Sequence, residues 1–214
     1  MKQKHFIDSH KGATGLFVIA LMFYYDRWEN TTAWVYLAVH GSYGLFWITK
    51  SRLFGDKSWE KPTGILYGLV IWFGLTLYWI APWLIIRYDV ATPPWYLGLC
   101  VFVYALGVFY HFASDMQKHV SLALRPGLIQ SGLWARCRNP NYFGEFLIYG
   151  SFVLLPLLNQ DGWTPFGWVP AIVLGIFLCG VWIPNMLRKD KSLSRYPEFA
   201  EYKRRSGMFI PYLL

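Results

Sequence analysis

The residues best suited to chemistry in this chain form one compact block at positions 138–145, with the sequence RNPNYFGE. The block combines a guanidinium, two amides, a phenol and a carboxylate, and it opens directly into an apolar stretch. Charged and amide groups at the mouth of a membrane segment are costly unless they bind a ligand or one another. The block therefore predicts a polar binding site at a membrane surface.

Two polar segments, at about 111–138 and 188–205, are too long to serve only as connections between apolar stretches. They offer Lys and Arg for phosphate groups, and Asp, Asn and Glu for ribose hydroxyls or an amide. This set predicts a site for a phosphate-rich nucleotide. Any single basic residue flanking an apolar stretch has an alternative role as a lipid anchor and topology signal.

The composition indicates a membrane protein, with 55% hydrophobic, 20% aromatic and only 15% charged residues. Six apolar stretches come close to the roughly 20 residues that a membrane helix needs. They lie near 13–25, 32–49, 63–86, 94–112, 141–158 and 165–187. We expect an all-α polytopic bundle of six transmembrane helices, or seven if the third breaks at Ala81-Pro82. Continuous apolar runs exclude the alternating pattern of a membrane β-barrel.

The distribution of basic residues predicts the orientation. All Lys and Arg residues except Arg27 and Arg87 fall in one alternate set of loops. By the positive-inside rule, both termini and the two polar segments face the cytosol. The net charge of +8 is then explained by topology and by anionic lipid headgroups, so no nucleic-acid partner is expected. The oligomeric state is not predicted.

The organisation expected is one integral membrane domain over 1–214. Spans within 1–110 would form a substrate pocket, and 111–214 would form the cofactor-binding half. The chain has no P-loop, no dinucleotide-binding glycine motif and no pair of Cys-x-x-Cys. Its histidines have no metal-ligand spacing beyond the weak pair of His111 and Asp115, so no metal is predicted.

Four motifs resemble the membrane steroid 5-alpha-reductase family, in its short bacterial-type branch. They are Ser114-Asp115-Met116-Gln117-Lys118, Gly132-Leu133-Trp134, the block at 138–145, and Tyr202 with Phe209-Ile210-Pro211. The resemblance covers the chain from residue 111 onward. The same C-terminal architecture is similar to the isoprenylcysteine carboxyl methyltransferase superfamily, whose cofactor is S-adenosylmethionine.

The resemblance implies a dinucleotide held by the cytosolic loops and the last helices. By matching positions, Asp115 contacts the cofactor, and Asn141 and Glu145 lie near the nicotinamide end. The further cofactor candidates are Lys118, Arg138, Tyr142, Asp190, Lys191, Arg195 and Tyr202. The surplus of cations suits NADPH better than S-adenosylmethionine, which is itself cationic.

The activity implied is reduction of a carbon–carbon double bond conjugated to a carbonyl in a lipophilic, steroid-like or isoprenoid substrate. Tyr43, His40 and Glu145 are the predicted catalytic residues. The chain departs from the family because Gly41 stands where the family's substrate-binding tyrosine is expected. The alternative is a membrane methyltransferase acting on a lipophilic thiol or carboxylate, and a third class is a non-catalytic assembly factor or transporter.

Overall fold

The computed structural model describes residues 1–213, and these fold almost entirely into helices, which confirms the predicted all-α class. The helices are α1 (Gln3–Tyr24), α2 (Thr31–Leu53), α3 (Ile65–Thr76), α4 (Ile80–Arg87), α5 (Pro94–Leu124), α6 (Pro140–Leu154), α7 (Val169–Phe177), α8 (Ile183–Leu193) and α9 (Phe199–Arg204). A short antiparallel pair follows α6, formed by β1 (Leu158–Asn159) and β2 (Gly162–Trp163).

Four helical stretches in the described part of the chain are long and apolar enough to cross a membrane. They are Gln3–Tyr24, Ile65–Arg87, Pro94–Leu124 and Val169–Leu193. The helix α2 is 23 residues long but is not among them, and α6 has only 15 residues. A helix of 15 residues spans about 22 Å, less than the roughly 30 Å of a hydrocarbon core. The chain is thus indicated to be a membrane protein, while the count of six spans stays a prediction.

The first and sixth helices have ends that differ from the predicted span boundaries. The first helix begins at Gln3 and not near 13, because its polar residues are accommodated inside the bundle. Asp8, for example, accepts hydrogen bonds from the Trp47 indole (3.2 Å) and the Ser51 hydroxyl (2.8 Å). The helix α6 ends at Leu154 and not at 158. Pro156 follows two residues later, and a proline cannot continue a helix.

Two prolines alter the helix geometry without ending a span. The stretch Ile65–Arg87 continues through Ala81-Pro82, with a 3₁₀ turn at Leu77–Trp79. Pro82 has no N–H for the carbonyl four residues earlier, so the irregular turn lies before the proline. A π-turn at Leu178–Trp182 precedes Pro184 in the same way. Turns of this π type are frequent at functional sites.

The fifth helix is much longer than the predicted span. It has 31 residues, so it extends about 46 Å and exceeds the hydrocarbon core by several turns. The polar segment that begins at His111 therefore starts as the last turns of α5, beyond the predicted span at 94–112. Asp115 and Lys118 are consequently held on a helix and not on a loop.

The chain divides into two compact units. Unit 1 contains Met1–Phe102 and Gly150–Val173, and unit 2 contains Val103–Tyr149 with the described residues from Leu174 onward. In unit 1, α1 packs along α2 and against α3. In unit 2, α5 and α6 cross closely at Gly107 and Gly144. The approach is so close that a Cβ atom on Gly144 would lie 2.2 Å from the His111 backbone nitrogen. Whether the two units act as a single domain stays a prediction.

Candidate functional site

The polar block lies in unit 2 at the start of α6. Pro140 is the first helical residue, a position that proline favours because its missing N–H has no partner in a helix anyway. The N–H of Phe143 donates to the carbonyl of Asn139 (3.0 Å). The Asn139 side chain, which is fully buried, donates to the carbonyl of Met208 (2.7 Å). The start of α6 is thereby tied to the C-terminal segment.

Arg138 and Asp190, two of the predicted cofactor residues, bind each other inside unit 2. The Arg138 Nε lies 3.1 Å from Asp190 Oδ2, and the two residues are 5% and 7% exposed. The guanidinium also donates to the carbonyls of Lys203 (3.2 Å) and Ser206. The structure therefore gives this pair a scaffolding role, and a contact with cofactor stays a prediction.

Lys189 is a central residue of this network that the sequence analysis did not single out within the polar segment 188–205. Its ammonium donates to the Arg138 carbonyl (2.8 Å) and the Asn139 amide oxygen (3.0 Å). It also lies 4.3 Å from the ring centroid of Trp134. The helical spacing of Met186 and Asp190, both buried, is the signal that would have identified the inward face of α8.

Tyr202 and Cys137 form hydrogen bonds that hold the loop before the polar block at 138–145. The Tyr202 hydroxyl donates to the Trp134 carbonyl (2.5 Å), and the residue is 1% exposed. The Cys137 thiol donates to the Phe209 carbonyl (3.2 Å). Burial raises the pKa of Cys137 to about 11 and raises that of Tyr202 as well. Both groups are neutral at physiological pH. The Tyr202 hydroxyl is buried, so it is not accessible for the predicted contact with a cofactor.

The end of α5 supplies the acid of the site. Asp115 is 3% exposed, and its Oδ1 lies 3.2 Å from the Lys118 ammonium. His111, one turn earlier, has its Nδ1 3.0 Å from the Asn141 carbonyl oxygen. The Gln117 amide bonds the Ser131 carbonyl (2.8 Å) and the Leu133 N–H (3.1 Å), which fixes the loop between α5 and α6. Within the described residues, no cluster of three or more His, Cys, Asp or Glu could hold a metal.

The first turns of α6 carry Asn141, Tyr142 and Glu145, each partly buried. The side-chain oxygen of Asn141 is buried without a hydrogen-bond partner in the described part of the chain. Glu145 lies one helical turn further on the same face. The Tyr142 ring lies 6.0 Å from that of Trp182, which belongs to the π-turn. An acceptor without a donor among the described residues is a candidate point of contact for a ligand.

The remaining predicted residues lie elsewhere. Lys191 and Arg195 are exposed in unit 2, and Arg195 bonds its neighbours Ser192 and Tyr196. His40 and Tyr43 are buried in unit 1 on α2. The structure thus brings the predicted cofactor residues into one unit and divides the predicted catalytic residues between two.

Comparison with known proteins gives two matches. The model of a family described as a protein of unknown function, DUF1295, matches residues 89–206, somewhat more than half of the chain. An uncharacterized protein of the fission yeast Schizosaccharomyces pombe is 30% identical over 99 residues, which are 45% of this chain and 27% of the relative. The chain thus spans about a quarter of the length of that relative. No solved structure matches.

Proposed function

We propose, from the premise that this chain belongs to the DUF1295 family, that it is a membrane reductase that uses NADPH. The family lies in the superfamily of steroid 5-alpha-reductase-like and isoprenylcysteine methyltransferase-like proteins. The superfamily expected from the motifs is therefore confirmed, and the bacterial-type branch stays a prediction. The substrate proposed is a lipophilic molecule with a carbon–carbon double bond conjugated to a carbonyl.

The unpartnered oxygen of Asn141 carries the proposal. It is an acceptor, buried in the described structure at the start of α6, with no donor from the protein. A buried polar atom of this kind costs about 1–3 kcal/mol unless a ligand satisfies it. The carboxamide of a nicotinamide ring has an N–H₂ group of the required type. Glu145, one turn away on the same helix face, supplies a second acceptor or a proton.

The charge of unit 2 supports a phosphate-bearing cofactor. Lys191 and Arg195 are exposed, so both cations are accessible to an anion, and Lys118, which is paired with Asp115, is partly exposed. Lys and Arg are the usual partners of phosphate groups. The excess of cations would stabilise the additional 2′-phosphate of NADPH, whereas S-adenosylmethionine itself carries a positive charge. The position of these residues on the cytosolic side is part of the proposal.

The residues of the chain would bind and orient, and NADPH when bound supplies the hydride. Asn141 would hold the nicotinamide carboxamide, and Asp115 with Lys118 would border the cofactor. A group with a mobile proton, Tyr43 or His40, would polarise the substrate carbonyl. The apolar interior of the spans would take up the substrate from the bilayer and exclude water from it.

The alternative is a methyltransferase that uses S-adenosylmethionine. Such a methyltransferase would belong to the same superfamily. The amino group of the adenine of S-adenosylmethionine would also be a suitable donor to the Asn141 oxygen. The cation surplus is the observation that favours NADPH over it.

The test is cofactor stabilisation of the full-length protein in detergent. Thermal unfolding is compared with NADPH, NADH, S-adenosylmethionine and no ligand, since a ligand that binds only the folded state raises the melting temperature. An increase with NADPH and none with S-adenosylmethionine supports the reductase. An increase with S-adenosylmethionine alone replaces it with the methyltransferase, and no increase with any ligand rejects both.

A further inference from the structure

A cleft in unit 1 lies where the first helix meets the connection between α2 and α3. Its volume is about 310 Å³, including the solvent at its open side, which is near the lower end of the range for small-molecule sites. Charged groups of both signs and two indole rings border it, namely Lys4, Asp8, Lys50, Asp56 and Glu60 with Trp47 and Trp59. Ammonium and carboxylate groups therefore share one small space.

The connection between α2 and α3 is fastened to the start of α1. The Thr63 N–H donates to the Met1 carbonyl (2.8 Å). The ammonium groups of Lys2 and Lys4 donate to the Glu60 carboxylate at 2.7 and 2.5 Å. These two hydrogen bonds lower the pKa of Glu60 to about 2, so its carboxylate is ionised at physiological pH. The walls of the cleft are thus fixed by contacts within the protein.

Two carboxylates of the cleft are held in place and still have room for a further donor. Asp8 Oδ1 accepts from the Trp47 indole (3.2 Å), and Asp8 Oδ2 accepts from the Ser51 hydroxyl (2.8 Å). Each oxygen of Glu60 likewise accepts one lysine N–H. A carboxylate has about four acceptor positions, two on each oxygen. Asp8 and Glu60 can therefore each accept from a ligand without losing a bond to the protein.

Lys4 supplies donors beside these acceptors. Its ammonium has three N–H groups, it donates to Glu60, and its side chain is 26% exposed. A lysine with N–H groups left for an anion is a common partner of phosphate oxygens. The cleft thus offers acceptors for an ammonium group and donors for a phosphate group side by side.

The surroundings of the cleft indicate a lipid as the source of these groups. Asp8 belongs to the second turn of α1, which begins the first candidate span, and Trp59 is 36% exposed. Tryptophans are enriched where membrane spans meet water. Leu53 at the end of α2 is 70% exposed, and Ile65 and Leu66 at the start of α3 are 67% and 79% exposed. Apolar side chains exposed at both ends of the connection suit contact with acyl chains.

We propose that this cleft binds a phospholipid whose headgroup carries both a phosphate and a primary ammonium, as in phosphatidylethanolamine. The ammonium would donate to Asp8 and Glu60, and the phosphate would accept from Lys4. The quaternary ammonium of phosphatidylcholine has no N–H donor, and phosphatidylglycerol has no cation, so neither satisfies both sides of the cleft. The inference does not depend on the proposed reductase, because all residues of the cleft belong to unit 1 and none is a proposed cofactor residue.

The test is native mass spectrometry of the full-length protein in detergent with the three lipids, each carrying the same acyl chains. We expect phosphatidylethanolamine to bind more tightly than either of the other lipids. Asp8→Asn should weaken its binding about tenfold, since it removes the charge from a hydrogen bond to an ammonium. The matched control is Asp161→Asn, an exposed acid of unit 1 outside the cleft, which should change binding by less than about twofold.

Equal binding of the three lipids overturns the inference, and so does unchanged binding of phosphatidylethanolamine by folded Asp8→Asn. If Asp8→Asn does not fold, Trp59→Ala removes a partly exposed wall of the cleft, and unchanged binding by this variant overturns the inference equally. Free phosphoethanolamine distinguishes the two sources of the headgroup. Much weaker binding of the free compound supports the lipid, whereas equal binding overturns the lipid assignment. Melting with NADPH tests the reductase separately, so either proposal can fail while the other stands.

Discussion

The guanidinium of Arg138 and the carboxylate of Asp190 face each other in the interior of unit 2, with Nε 3.1 Å from Oδ2. They are 52 residues apart in the sequence, and their pairing connects the loop before α6 to α8. The guanidinium also reaches the backbone beyond α9. One ion pair therefore positions the polar block relative to the C-terminal segment.

Asp190→Asn is expected to destabilise the protein strongly, because it leaves the Arg138 charge buried without a counter-ion. Removal of one partner from a buried pair typically costs about 3–5 kcal/mol. The measurement is the melting temperature in detergent. Lys191→Ala, an exposed neighbour on the same helix, is the control and should change stability by less than about 0.5 kcal/mol. Equal melting temperatures for the two variants would contradict a stabilising role of the pair.

Gly144→Ala is expected to disrupt the crossing of α5 and α6. The new Cβ atom would lie 2.2 Å from the His111 nitrogen and 2.7 Å from the Gly107 oxygen, so the helices must separate. Such overpacking costs about 1–3 kcal/mol. Gly150→Ala on the same helix meets no atom within 4 Å and should be neutral or stabilising by up to about 1 kcal/mol. Melting temperatures that rank the two variants in the reverse order would refute the close crossing.

Asn141→Leu is expected to abolish NADPH binding without lowering the stability of the ligand-free protein. It removes a buried acceptor that has no partner in the described structure, so the ligand-free protein should melt at the wild-type temperature or above it. The increase in melting temperature with NADPH should be lost. Asn159→Ala is the control, since Asn159 accepts a hydrogen bond from the Ala91 N–H (3.0 Å) and has no place in the proposed site. A wild-type NADPH effect in Asn141→Leu would remove Asn141 from the site.

Cys137 is expected to resist maleimide labelling at pH 8. Its pKa is raised to about 11 by burial, so only about one thousandth of the thiol is ionised at that pH. The labelling rate of a variant in which Cys137 is the single cysteine should increase about tenfold per pH unit toward pH 11. Arg136→Cys, at an exposed position in the same loop, should label rapidly at pH 8. Rapid labelling of folded Cys137 at pH 8 would contradict the buried thiol.

The sequence by itself determined the all-helical class of the molecule and the position of its polar block at 138–145. Long apolar runs can satisfy their backbone hydrogen bonds in a membrane only as helices or closed barrels, and their continuity selected helices. The four motifs resemble the superfamily to which the matched family belongs. The helical class depends on local composition and on the continuity of the apolar runs, which are fully written in the chain.

The tertiary structure decided which of the polar residues are buried in contacts within the protein and which are exposed. The sequence alone does not show whether a cation beside a span faces lipid, water or the protein interior. Packing with distant segments turned Arg138 and Lys189 inward and left Lys191 exposed. It also buried Lys11 against Tyr43, a contact between two helices that only a close approach at Gly44 permits. Such choices depend on contacts between residues far apart in the chain, and local spacing does not encode them.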